Sequence, residues 1–302
     1  MQQERLSLKA PAKINLFLRV TGRRADGYHT LETLMHKVDL CDELELRLCR
    51  QGIRLRCQGS PLPEDKGNLV YRAAELYLQT AARQSLTALP GVEITLKKNI
   101  PVAAGLGGGS SDAAATLRGL NALLGGGCDR DQLAALGLRL GADVPFFLGD
   151  AVAAVATGIG EVLTPVAPLS GYSVLLVNPG FPVSTQWVYQ TFALTKNKFS
   201  SNLKNSWKGL DCAGLPEGAT AQAVALAAMT NDLEAVTLSR YPEVGQLKDE
   251  LVAQGAAVAL MSGSGPTVFG LFAEQGCAEA SYALCKRRFI DTYLISPSPA
   301  MR

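Results

Sequence analysis

Histidine is nearly missing from this 302-residue chain, which has two, and its seven cysteines include no C-x-x-C pair. A zinc site needs several such ligands at short, recurring spacing, so the composition argues against one. The cysteines, scattered over positions 41, 49, 57, 128, 212, 277 and 285, read as reduced and mostly buried, as in a cytoplasmic protein. Charge of one sign is also lacking: 29 basic residues stand against 27 acidic ones, for a net charge of +2. That balance excludes a surface built to coat nucleic acid or an anionic membrane, and Lys286, Arg287 and Arg288 read as a solvated helix face. The opening MQQERLSLKAPAK has charges but no apolar signal-peptide core, which argues against secretion. Residues 162–195 carry no formal charge, but Pro165, Pro168, Gly171, Pro179 and Pro182 divide them into strands and turns, so no membrane span is expected. Internal repeats and low-complexity tracts are absent.

What is present is length for two domains and one unusual glycine stretch, AAGLGGGSSDAAATLRGLNALLG at residues 103–125. Ala114, Leu117, Leu120 and Leu124 recur at helical spacing. Ser110 or Ser111 is placed to cap the helix, and Gly125 to Gly127 end it. A loop containing Gly105, Gly107, Gly108 and Gly109 can turn backbone N–H groups toward one point, with the positive end of a helix dipole behind them. That combination suits a phosphate. It is not a P-loop, because no lysine follows Gly109. Nor is it a dinucleotide fingerprint, because Ser110 stands where the third glycine should be.

Elsewhere AKINLFLRV alternates, sending Ile14, Leu16, Leu18 and Val20 to one face and Lys13, Asn15, Phe17 and Arg19 to the other. DELELRLC and IRLRC alternate likewise, whereas NLVYRAAELYLQTAAR has helical spacing. Residues 92–98 read as a strand ahead of the glycine stretch. Prolines and glycines near residues 160–171 mark a domain junction. The second half opens with the strand YSVLLV, continues through a long polar loop at 195–220, and ends in two helical segments and the strand–turn–strand AAVALM, SGSGP, TVFGLF.

Lys13 on an edge strand has an ordinary reading as a solvated side chain. Asp143, in GADVPFFLGD, has one as a turn or helix cap, although the apolar PFFL beside it could hold a carboxylate as an oriented base. Asp112, expected in the first helical turn, favours the dipole unaided, or faces a phosphate through Mg²⁺ with Ser111 as a further oxygen. Arg23 and Arg24, on a glycine-bounded loop, are either exposed or phosphate contacts.

Three segments, PAKINLFL from Pro11, PVAAGLGGGSSDAA from Pro101 and SGSGPTVFG from Ser262, resemble in order and spacing the three motifs of the GHMP kinases, the superfamily of galactose, homoserine, mevalonate and phosphomevalonate kinases. RADGYHTLETLMHKVDLCD and GADVPFFLGDAVAAVATGIGE are similar to the branch whose acceptor is 4-diphosphocytidyl-2-C-methyl-D-erythritol, a small molecule of the non-mevalonate isoprenoid pathway. The resemblance covers most of residues 8–160 and 255–272 and leaves the polar loop untouched.

It implies an α+β protein of two domains, an N-terminal nucleotide-binding domain over 1–163 and a ferredoxin-like C-terminal domain over 164–302, with the active site in the cleft between them. It implies ATP and Mg²⁺ as cofactors. The phosphates would be wrapped by Pro101, Val102, Ala103, Ala104, Gly105, Leu106, Gly107, Gly108, Gly109, Ser110 and Ser111, the serine hydroxyls and helix dipole replacing the missing P-loop lysine. Asp143 would take the proton of the C2 hydroxyl, and Lys13 would orient Asp143 and offset charge on the transferring group. Asn15, Tyr28, His29, Thr185 and Tyr189 would bind the acceptor. In the family two aromatic rings sandwich the cytosine while the histidine segment reads its edge; Tyr28 matches one ring, and Tyr189, with Phe181 as the alternative, the other. The resemblance implies no protein partner.

Overall fold

The computed structural model of the chain describes residues 4–84, 90–195 and 229–296. Most of the polar 195–220 loop, and Cys212 within it, lie outside the described residues. Strands and helices mix along the chain as an α+β protein requires. In order they are β1 (Arg5–Arg23), β2 (His29–Cys49), β3 (Ile53–Gln58), α1 (Leu69–Gln84), β4 (Gly91–Lys97), α2 (Gly108–Leu123), α3 (Arg130–Leu140), α4 (Val144–Leu148), β5 (Ala153–Thr157) and β6 (Val162–Val166). After them come β7 (Ser173–Val177), α5 (Thr185–Thr195), α6 (Glu234–Arg240), α7 (Pro242–Ala253), β8 (Val258–Met261), β9 (Val268–Phe272), α8 (Gln275–Lys286) and β10 (Thr292–Ile295). Packing divides the described residues into two compact units, one from 4–12, 40–84, 90–100 and 107–150, the other from 13–39, 101–106, 151–195 and 229–296.

In the first unit the later part of β2 keeps the strict alternation of a half-buried strand. Leu40, Asp42, Leu44 and Leu46 are buried, while Glu43 and Arg47 are exposed. β4 runs antiparallel to it, Leu46 facing Ile94, and β3 lies parallel to β4, Leu55 facing Ile94. Helix α1 packs on α2, and α4 packs on both α2 and α3. Ala113, Ala114, Leu117, Leu120 and Leu123 of α2 are buried together with Val70, Ala73, Ala74 and Tyr77 of α1. Removing each such leucine from water is worth about 1.5–3 kcal/mol, which is why this helix holds its place despite five glycines and serines in its first twelve residues.

The helix begins earlier than its caps suggest. Its N-cap is Gly107, with a left-handed φ of 69°, and the Ser111 N–H bonds the Gly107 carbonyl at 3.0 Å. Ser110 and Ser111 are therefore first-turn residues rather than caps, and Asp112 falls just beyond that turn.

In the second unit the first part of β2 pairs antiparallel with β5, Thr33 facing Ala156 and His36 facing Ala153, and β5 pairs with β6. The proline-marked stretch near residue 165 thus carries a strand. A separate antiparallel sheet has the order β10-β7-β9-β8. Its chain path, β7, helices, β8, β9, α8, β10, is the split βαβ arrangement of a ferredoxin-like domain. Leu175, Val177, Leu251, Met261, Phe272 and Ala278 form part of its core. His36 is fully buried, donating from Nδ1 to the Lys37 carbonyl at 2.7 Å and accepting at Nε2 from the Leu169 N–H at 2.9 Å. Burial pushes its pKa down to about 4, so the ring is neutral and serves as a backbone clamp.

Candidate active site

Alternation along β1 correctly sets Lys13 and Asn15 on one face, but that face is not wet. Residues 10–18 are all buried, and Lys13 and Asn15 are 4% and 3% exposed. A buried ammonium must be paired with oxygen. Lys13 Nζ donates to the Gly105 carbonyl at 2.9 Å and to Asn15 Oδ1 at 2.5 Å, and the Lys13 N–H donates to the Leu106 carbonyl at 2.9 Å. Asn15 Nδ2 donates to Thr33 Oγ1 at 2.8 Å, while the Asn15 N–H reaches Ser262 Oγ at 3.3 Å. The Ser262 hydroxyl donates in turn to the Gly105 carbonyl at 3.0 Å. Three segments far apart in sequence, around Lys13, Gly105 and Ser262, thereby meet at one carbonyl.

Gly105 makes this approach possible. Its φ is +77°, and a Cβ placed on it would lie 2.1 Å from the Ser262 carbonyl oxygen. Ala103, two residues earlier, also adopts a positive φ, 52°, an uncommon conformation for a residue with a Cβ. Its carbonyl accepts from the Val183 N–H at 3.2 Å.

In the first unit, the start of α2 presents the N–H groups of a 16-residue helix at Gly108, Gly109 and Ser110. A lysine does stand here, supplied by the end of β4 rather than by the loop. Lys98 Nζ donates to Asp112 Oδ2 at 2.9 Å and also to Asp42 Oδ2. Asp42 Oδ1 accepts from the Asn99 N–H at 2.6 Å and the Ile100 N–H at 2.8 Å. Burial alone would lower the Lys98 pKa, but Asp112 and Asp42 together hold it above the ordinary lysine value. Burial pushes the Asp112 carboxyl up to about 7; Lys98 opposes that shift and Asp42 adds to it. Two oxygens at this point, Ser111 Oγ and Asp112 Oδ1, are buried without a hydrogen-bond partner. A buried polar atom left unpaired is costly, which makes these two atoms candidates for a ligand contact. Among the described residues no group of three or more His, Cys, Asp or Glu is placed to hold a metal ion.

Asp143 occupies the N-cap position of α4 but makes no side-chain capping bond to it. Val144, Pro145, Phe146 and Phe147 behind it are buried, as the apolar PFFL run requires. Arg118 of α2 donates to the Phe147 carbonyl at 3.1 Å, tying α4 to α2.

Of the residues expected at the acceptor end, His29 and Tyr189 are brought together, their ring centroids 5.4 Å apart with planes tilted by 30°. Phe192 meets His29 edge-on at 6.3 Å. Phe181 instead stacks on Tyr241 at 4.7 Å. Tyr28 is 62% exposed at a turn where its N–H bonds Asp26 Oδ1 at 3.2 Å, and Arg24 is paired with Asp26 at 2.8 Å. Thr185 Oγ1 and Ser264 Oγ share a hydrogen bond of 2.8 Å. Sequence reasoning did not single out Lys98, Asp42 or the Ser262 hydroxyl. SGSG marked a small-residue loop, but no local pattern says which backbone it will touch.

GHMP kinases N terminal domain matches residues 68–157, and GHMP kinases C terminal matches residues 218–288. The chain is 47% identical to a 4-diphosphocytidyl-2-C-methyl-D-erythritol kinase of Geobacter metallireducens over 89% of its own length and 90% of the relative's. It is 45% identical to the protein of that name in Geobacter sulfurreducens, over 94% and 96%. A crystal structure of 4-(cytidine 5'-diphospho)-2C-methyl-D-erythritol kinase superposes with a TM-score of 0.76 at 37% identity, covering 96% of this chain and 98% of that one.

Proposed function

The chain belongs to the 4-diphosphocytidyl-2-C-methyl-D-erythritol kinases of the GHMP kinase superfamily, and we propose that it performs their reaction through the residues described above. It is an ATP-dependent kinase with an alcohol as acceptor, phosphorylating the C2 hydroxyl of 4-diphosphocytidyl-2-C-methyl-D-erythritol in the non-mevalonate isoprenoid pathway. The observation that carries the assignment of residues is the buried network joining Lys13, Asn15, Gly105 and Ser262.

Phosphoryl transfer asks little covalent chemistry of a protein; positioning and electrostatics do most of the work. In our reading residues 101–111 cradle the triphosphate, with the backbone N–H groups at the start of α2 and its dipole facing the charge. Asp143, whose carboxylate is not used to cap α4, accepts the C2 hydroxyl proton as general base. Lys13 offsets the charge that builds on the transferring group. Tyr28 and Tyr189 hold the cytosine between their rings, His29 reads its edge, and Asn15 and Thr185 supply polar contacts to the acceptor. The proximity of His29 and Tyr189 supports Tyr189 over Phe181 as the second ring.

Mg²⁺ fits as a companion of the nucleotide. Ser111 Oγ and Asp112 Oδ1 are buried and unpartnered, and one or two protein oxygens are what this ion takes when phosphates and waters complete its shell. When bound, it neutralises charge on the phosphate oxygens. We place the domain boundary at 163/164, between the two matched family segments. We place the protein in the cytoplasm, in keeping with the free thiols of Cys49, Cys57, Cys128, Cys277 and Cys285 among the described residues. No helix among those residues is long and apolar enough to cross a membrane.

The test is ADP release from Mg-ATP with 4-diphosphocytidyl-2-C-methyl-D-erythritol, homoserine or mevalonate as acceptor, on the native chain and on Asp143→Asn. Only the cytidylyl alcohol should support turnover, and the variant should lose about 10²–10⁴ in kcat, the usual range for a general base. Equal turnover with homoserine or mevalonate sinks the substrate assignment, and near-native kcat in Asp143→Asn returns that residue to a structural role.

A further inference from the structure

The turn at Ser262–Gly265 touches the Lys13 network on one side, and its other side is gripped by residues to which that network assigns no role. Asn231, just before α6, and Glu234 and Thr237 within it recur every three residues, and all three bond to the backbone of this turn or of Met261 beside it. Asn231 Nδ2 donates to the Met261 carbonyl at 2.8 Å and to the Gly263 carbonyl at 2.7 Å, while its Oδ1 accepts from the Leu233 N–H at 3.0 Å. Glu234 Oε1 accepts from the Met261 N–H at 2.9 Å, and Lys248 pairs with its other oxygen at 2.6 Å. Thr237 Oγ1 donates to the Ser264 carbonyl at 3.2 Å. Asn231 and Thr237 are buried, so water does not compete for these contacts.

The turn they hold has no slack toward the site. A Cβ on Gly263 would lie 3.1 Å from the Gly105 carbonyl oxygen and 3.2 Å from both Asn15 Oδ1 and Lys13 Nζ. Any shift of the turn is therefore transmitted to the atoms that orient the Lys13 ammonium. Packed elements pass on small displacements rather than absorbing them. Two polar contacts on the turn and two on Met261 beside it exceed what a β8–β9 connection needs, since those strands are already paired at Met261 and Val268.

We propose that Asn231, Glu234 and Thr237 are positioning residues for phosphoryl transfer, a rail that sets the Ser262–Gly265 turn and through it the placement of Lys13 and Asn15. The inference rests on the catalytic reading of Lys13 given above. Asn231→Asp turns the donor that faces two carbonyls into an acceptor. Thr237→Val removes one hydroxyl without changing volume, and Thr237→Ser restores it.

The experiment measures kcat and both KM values for these three variants and for Lys13→Met in the full chain, with melting followed by circular dichroism. Asn231→Asp should lower kcat about a hundredfold and Thr237→Val about tenfold, the scale of misplacements of an ångström or less, with both KM values nearly unchanged. Thr237→Ser should recover native kcat. A folded Thr237→Val with native kcat, a loss confined to KM, or a Thr237→Ser as poor as Thr237→Val overturns the proposal, and that pair decides alone if Asn231→Asp does not fold. Lys13→Met separates the two layers: native turnover there overturns the catalytic reading and the rail with it, whereas loss there beside an unaffected Thr237→Val overturns the rail only.

Discussion

Gly105→Ala is the sharpest single perturbation of this structure. The glycine has φ +77° and its missing Cβ would stand 2.1 Å from the Ser262 carbonyl oxygen and 3.0 Å from the Gly265 nitrogen. Backbone, unlike the tip of a side chain, cannot swing aside, so the turn at Ser262 has to retreat. Three hydrogen bonds lie in the path: Lys13 Nζ to the Gly105 carbonyl, Ser262 Oγ to the same carbonyl, and the Asn15 N–H to Ser262 Oγ. Left-handed backbone costs an L-residue about 1–2 kcal/mol, and each weakened hydrogen bond adds about 0.5–1.5 kcal/mol. The variant should be destabilised by about 2.5–6.5 kcal/mol toward urea, the sum of the backbone cost and three weakened hydrogen bonds. It should lose about a hundredfold in kcat, the usual effect of misplacing a site by roughly 1 Å. Gly127→Ala, where a Cβ meets nothing within 4 Å, is the control and should match the native protein in both assays. Gly105→Ala with native urea midpoint and native kcat would refute the close approach on which the argument depends.

Two further outcomes follow from the geometry. Tyr28→Ala and Tyr189→Ala should each raise KM for the cytidylyl substrate about tenfold with KM for ATP nearly constant, since stacking a base on an aromatic ring is worth about 1–3 kcal/mol; Phe181→Ala, whose ring is engaged with Tyr241, should not. A rise in KM for ATP instead would mean the two nucleotides are assigned to the wrong ends. His36, with its pKa lowered by burial from 6.5 to about 4, stabilises the fold fully above about pH 6.5, and that contribution is lost as pH falls through about 4. Nitrogen chemical shifts of its ring should therefore stay those of the neutral Nδ1–H form at pH 5, and a midpoint near 6.5 contradicts the clamp.

Much of the fold could be read from local pattern. Period-two alternation marked the β2 segment from Asp42 to Cys49, and three- and four-residue spacing marked α1 and α2, because a half-buried strand or helix must present one apolar face whatever it packs against. The glycine stretch pointed to a phosphate for an equally local reason: only residues without bulky side chains let backbone N–H groups converge. Where α2 begins was less legible, since either serine could cap, and the left-handed Gly107 competed without leaving a composition signal.

Function lay partly within reach, as three motifs in order sufficed for the family, and partly beyond it. Alternation put Lys13 and Asn15 on one face but could not say whether that face meets water. That was decided by Gly105 and Ser262, which arrive from 92 and 247 positions away in the chain, counted from Lys13 and Asn15. The same holds for Lys98, which joins Asp42 across 56 positions and Asp112 across 14. Local sequence sets the conformations a segment prefers, because those depend on neighbouring dihedrals and on one apolar face. Burial of a charge and the partner that tolerates it depend on which distant backbone closes over it, and only the folded chain determines that.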